Sequence, residues 1–122
     1  MHRSRIGVVL IDHADDHHDE SLAFWAGVQG VRPVVDGAYA SVGEVGSANL
    51  EVQRLEDGPS RIHLDIESDD IPAEVARLKD LGGTVVDDRG DYVIMSDPGG
   101  LVFCVVGIQT GDRFVEDALE WP

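Results

Sequence analysis

Apolar residues fall along this chain in two rhythms, one of strands and one of a helix, and the same order of rhythms occurs twice. Residues 6–11 form a continuous apolar run of strand length. Over residues 15–29, Leu22, Trp25 and Val28 recur at helical spacing, and Gly30 stops the helix. Residues 34–36, 39–42 and 48–55 read as three short strands separated by glycine turns. The order then starts again with residues 61–67, which alternate as a strand. Asp70 is placed to cap a second helix with Pro72 in its first turn, and Ile71, Val75, Leu78 and Leu81 give that helix an apolar face. Gly82 and Gly83 end it. Residues 84–86, 92–95 and 101–106 are three further strands, joined by turns at Arg89-Gly90 and Asp97-Pro98-Gly99-Gly100.

The two halves also align residue by residue. Residues 8–15 match 63–70 at a constant offset, each an apolar strand running into an acidic helix start. Past the helices the offset shrinks by two, and Gly30 falls on Gly83, Tyr39 on Tyr92, Gly46 on Gly99 and Glu51 on Cys104. A first helix longer by two residues accounts for the change. The expected fold is α+β: two βαβββ modules forming a curved, mostly antiparallel eight-stranded sheet around a cavity, with one helix per module on the outer face. Module one spans about 5–56, module two about 60–107, and a tail 108–122 follows, all in a single domain. In the tail, Phe114, Ala118 and Trp121 suggest a short amphipathic helix that docks on the body or on a partner chain.

Composition narrows the partners. The chain has 122 residues, 43% of them hydrophobic, which suits one domain with a sizeable core. Its 24 acidic and 9 basic residues leave a formal charge of -15, which repels phosphate backbones and anionic lipid, so neither nucleic acid nor membrane is an expected partner. No apolar stretch is long enough for an export signal or a membrane span. Cys104 is the sole cysteine, so nothing calls for an oxidising compartment, and a cytoplasmic location is expected.

Strand parity separates helix-facing from cavity-facing side chains. In the fifth strand Ile62, Leu64 and Ile66 form the helix-facing set and leave His63, Asp65 and Glu67 toward the cavity. In the fourth, Leu50 and Val52 pack outward, while Asn49, Glu51 and Gln53 take the opposite face. In the eighth, Leu101, Phe103 and Val105 turn to the helix, and Val102, Cys104 and Val106 to the cavity. Val8 and Leu10 line the cavity from the first strand. If Glu51 and His63 pair inside the cavity, they can move a proton on a bound molecule. The group His13, Asp15, Asp16, His17, His18, Asp19 and Glu20 invites a metal reading, but acids at a helix start favour the macrodipole, and a solvated face or the rim of the cavity mouth is the simpler expectation. Phe24 and Trp25 are expected as packing under the sheet.

The stretches RIHLDIESDDIPAEVARLKDLGG and YVIMSDPGGLVFCVV, with VVLIDHADDHHDESLAFWAGVQGV before them, resemble a glyoxalase-like domain of the vicinal oxygen chelate superfamily, which also holds bleomycin-resistance proteins and extradiol dioxygenases. The resemblance spans roughly residues 6–107. In metal-dependent members four strand positions supply His or Glu ligands. The resemblance places Val8, Glu51, His63 and Cys104 there, so the ligand set is incomplete. Val8 donates nothing, His63 and Glu51 are good donors, and Cys104 is a third only as a thiolate, which the charge of Glu51 opposes. A divalent metal, zinc before others, is one expectation. The other is an unmetalled site in which Cys104 packs as a small hydrophobe and His63 bonds to Glu51 or Asp65. The implied function is small-molecule binding, either sequestering or on an unmetalled Glu51 and His63 site. The alternative is a metal-dependent lyase, isomerase or dioxygenase acting on a small oxygen-bearing substrate. A homodimer is expected from the same resemblance.

Overall fold

The computed structural model describes the backbone of residues 1–122 and every side chain except that of Asp15. The chain is α+β, with nine strands and three α-helices. In order they are β1 (His2–Ala14), a 3-10 turn (Asp15–His17), α1 (His18–Gln29), β2 (Val34–Asp36), β3 (Tyr39–Val45), β4 (Ala48–Leu55), β5 (Arg61–Ser68), α2 (Ile71–Asp80), β6 (Thr84–Asp88), β7 (Tyr92–Ser96), β8 (Val102–Val106), α3 (Asp112–Asp117) and β9 (Leu119–Trp121). The contacts divide into two compact units, Val8–His63 and Met1–Gly7 with Leu64–Pro122.

In the unit Val8–His63 the strands bond in the order β2-β3-β4-β1, with β1 and β4 parallel and the other pairs antiparallel. Alternation sends Ile11, Leu50, Val52 and Val42 to one face, where they form a core with Ala26 of α1; Val9, Leu22 and Trp25 pack against it. Two expectations for α1 need correction. Val28 and Phe24 are exposed, at 59% and 62%, and the buried helix stripe runs through Leu22, Trp25 and Ala26 instead. The spacing from Leu22 was right, but Ala26, four residues on, takes the core position because a small side chain lets the helix approach the sheet. Gly30 ends α1 in the left-handed conformation at φ 67°, which a side chain would strain.

In the second unit the order is β5-β8-β7-β6, with β5 and β8 parallel. Its core joins Leu78, Val93, Met95, Phe103 and Val105, with Leu64, Ile66, Ile71 and Val75 packed against them. Asp70 caps α2 as expected, accepting from the Ala73 amide at 3.0 Å. Leu81 does not join the apolar face, because the helix stops before it; Ile62 and Leu101 likewise lie at strand margins and are exposed.

The internal repeat is reproduced in the pairing register. Leu10 pairs with Glu51 and, at the matching positions, Asp65 pairs with Cys104; Tyr39 pairs with Gln53 and Tyr92 with Val106. The helices are 12 and 10 residues long, the difference inferred from the shifted offset.

The tail departs from the expectation of a helix alone. Its first part is α3, whose Phe114 is buried, and its last three residues form β9, paired antiparallel with His2, Arg3 and Ser4 of β1. Trp121 Nε1 donates to Ser4 Oγ at 2.8 Å, and the Arg77 guanidinium lies 3.8 Å from the Trp121 ring. The tail thus docks on its own chain. No helix is long and apolar enough to cross a membrane.

Candidate functional site

The face away from α1 holds the candidates of the first unit. Val8 and Leu10 are buried there at 1% and 2% exposure, and neither belongs to the core beneath the helix. Register sets half-buried Glu51 beside Leu10 on one flank and Ser41 on the other, and sets Gln53 beside Asp12. Asp12 shares the parity of Val8 and Leu10 and is 1% exposed, yet sequence reasoning passed over it. Counting two residues on from Leu10 would have found it. A carboxylate so buried requires cationic partners. Its Oδ2 lies 3.3 Å from Arg61 Nε and 3.7 Å from His63 Nδ1. The acid beside the His63 ring at that distance is therefore Asp12.

Strand β5 places His63 and Asp65 on one face, two residues apart, both buried. Asp65 pairs in register with Cys104 of β8, and one donor atom each from His63, Asp65 and Cys104 lies within 4.8 Å of the others. This is the group of three metal-competent side chains found among the described residues, and Glu51 is not in it. A nitrogen, an oxygen and a sulfur donor together suit zinc, and three protein ligands leave a position for a substrate oxygen.

Glu67, expected to line the cavity, is committed elsewhere. Its carboxylate is fully buried and accepts from Arg5 Nε at 3.0 Å, from the amides of Gln109 and Thr110 at 2.9 and 3.0 Å, and from the Thr110 hydroxyl. These donors hold the segment after β8 and leave the carboxylate no role toward a ligand.

The histidine and acid group at the start of α1 is spread out. His13 Nδ1 lies 3.1 Å from Ser60 Oγ, exposed His17 and Asp16 pair at 3.5 Å, and Arg54 Nη2 donates to Asp19 at 3.0 Å. No three of its described side chains converge as metal donors; the Asp15 side chain lies outside the described residues. Phe24 meets Trp25 edge-on, with ring centres 5.1 Å apart, but Phe24 itself faces solvent and is not packing under the sheet. A separate groove of about 280 Å³ lies between α2 and the β6–β7 turn, with Ile71, Val75, Lys79, Asp88 and Gly90 among its lining, and it contains none of the candidate residues.

Comparison with known proteins agrees with the fold. The sequence model of the glyoxalase-like domain family matches residues 8–106. Among solved structures, the NAD-dependent benzaldehyde dehydrogenase from Legionella pneumophila is similar at 10% identity and a TM-score of 0.62, over 84% of this chain and 98% of that one. At that identity the likeness is one of fold alone. Oxidase ChaP-H1 is 17% identical over 88% of this chain and 98% of that one, with a TM-score of 0.39. A glyoxalase/bleomycin resistance protein from Albidiferax ferrireducens T118 is 15% identical over 82% and 97%, with a TM-score of 0.32. No curated protein matches the sequence.

Proposed function

The chain belongs to the glyoxalase-like domain family, and from that premise we propose that it binds a small molecule on the strand faces turned away from its helices. The observation that carries this reading is the buried His63, held near Asp12 on a face whose neighbours Val8 and Leu10 are apolar. Few polar groups on an apolar floor are what a small-molecule site requires. Val8, Leu10, Gln53, Asp65 and Cys104 line the site. Glu51 and His63 are its proton-moving groups, in a protein that either sequesters its ligand or acts on it without a metal. A thermal-shift screen of small cationic and aromatic compounds tests this: a stabilising compound should lose its effect in His63→Ala, and stabilisation that survives the substitution counts against the site.

One observation favours a second reading, the meeting of His63, Asp65 and Cys104 donors. On that reading zinc sits on these three residues, and the protein is a lyase, isomerase or dioxygenase for an oxygen-bearing substrate. A bound zinc would supply a Lewis acid for that oxygen. Protein purified without chelators or affinity tags should then carry one ion per chain, lost in His63→Ala and Cys104→Ser. Ion-free protein returns the account to the unmetalled site.

The same proposal takes the protein as a cytoplasmic homodimer. A lone cysteine needs no oxidising compartment. The exposed Phe24 and Val28 of α1 are apolar side chains that a second copy would cover.

A further inference from the structure

His18 opens α1 within a run of polar residues, yet it is only 7% exposed. Its two ring nitrogens stand in unlike surroundings. Nδ1 lies 3.2 Å from Asp19 Oδ1, and Asp19 is held in turn by Arg54. The hydrogen bond from His18, followed by the Arg54 charge, keeps the Asp19 carboxyl below its usual range against the opposing effect of burial. The carboxylate therefore accepts, and Nδ1 carries the proton. In a neutral imidazole this leaves Nε2 as a lone pair. Nε2 is buried and has no hydrogen-bond partner among the described residues.

A buried acceptor is costly until something donates to it. The charge around the helix start selects the donor. Asp19 is paired with Arg54, exposed Asp16 and Glu20 add further negative charge, and the whole chain carries -15. That field draws cations. We propose that His18 is the binding residue of a second site, at the start of α1, for a small organic cation bearing an N–H, a protonated primary amine that donates to Nε2. The site uses none of the residues on the His63 face and stands or falls separately from it.

The test is histidine-selective ¹⁵N NMR at neutral pH with two probes, benzylamine and benzyltrimethylammonium. Both carry the same ring and charge, and only the first donates a hydrogen bond. Benzylamine should move the His18 Nε2 resonance while benzyltrimethylammonium leaves it in place, and His18→Ala should weaken benzylamine binding about ten-fold, as expected for one hydrogen bond to a charged group. His18→Gln keeps an acceptor oxygen and should retain part of the affinity, which separates lost bonding from lost folding. An equal response to both cations, no response to benzylamine, or undiminished affinity in a folded His18→Ala protein would overturn the proposal.

Discussion

Glu67 shows how one backbone position sustains a buried charge. A Cβ added at Gly7 would lie 2.5 Å from Glu67 Cδ, so only glycine lets the carboxylate reach Arg5 and the two amides after β8. Gly7→Ala should therefore cost about 2 kcal/mol through overpacking and the loss of those bonds. Urea unfolding measures it, and a change below a few tenths would show that the carboxylate relaxes freely. Asp12 and Glu67 also mark how far residues are legible from pattern. Parity separates Glu51 and Gln53 from the helix-side Leu50 and Val52 in one unit, and Asp65 from the helix-side Leu64 and Ile66 in the other. It could not tell that Glu67 would close on Arg5, because that bond links residues 62 positions apart in sequence.

Among the elements, the helices and strands of both modules followed from periodicity and from glycine and aspartate punctuation. The tail did not, because a three-residue strand has no period of its own and exists by pairing with β1. Behind that pairing stands Glu74, fully buried on α2, which accepts from His2 Nε2 at 2.9 Å and from Arg77 Nε and Nη2 at 2.7 and 2.9 Å. Burial opposes its charge most strongly, yet the hydrogen bonds from Arg77, Ser4 and His2 and the Arg77 charge together outweigh it and lower the carboxyl to about 2. A depressed carboxyl contributes stability that is complete above its ordinary value near 4.5 and is lost as pH falls toward 2. That contribution is on the order of 3 kcal/mol. Acid titration of stability should accordingly show a falling limb between these values, and Glu74→Gln should flatten it and release the Trp121 fluorescence at neutral pH. An unchanged limb in the variant would assign acid sensitivity to other groups.

For the molecule as a whole, duplication was the most informative signal, since matched residues in text became matched pairs in register, Leu10 with Glu51 and Asp65 with Cys104. What the repeat could not supply is the identity of the groups that meet, because symmetry relates positions and not their chemistry. Val8 repeats as His63, and Leu10 as Asp65, so one module presents hydrocarbon where the other presents donors. That asymmetry sets the buried His63 of the proposed site apart from its apolar counterpart Val8. Amide NMR during titration with small cationic and aromatic compounds tests the proposed site most directly. A binding compound should shift Leu10, Glu51, His63, Asp65 and Cys104 while Leu50, Val52, Phe103 and Val105 on the helix side stay still. Shifts concentrated on the helix-side residues, or none with any compound, would contradict it.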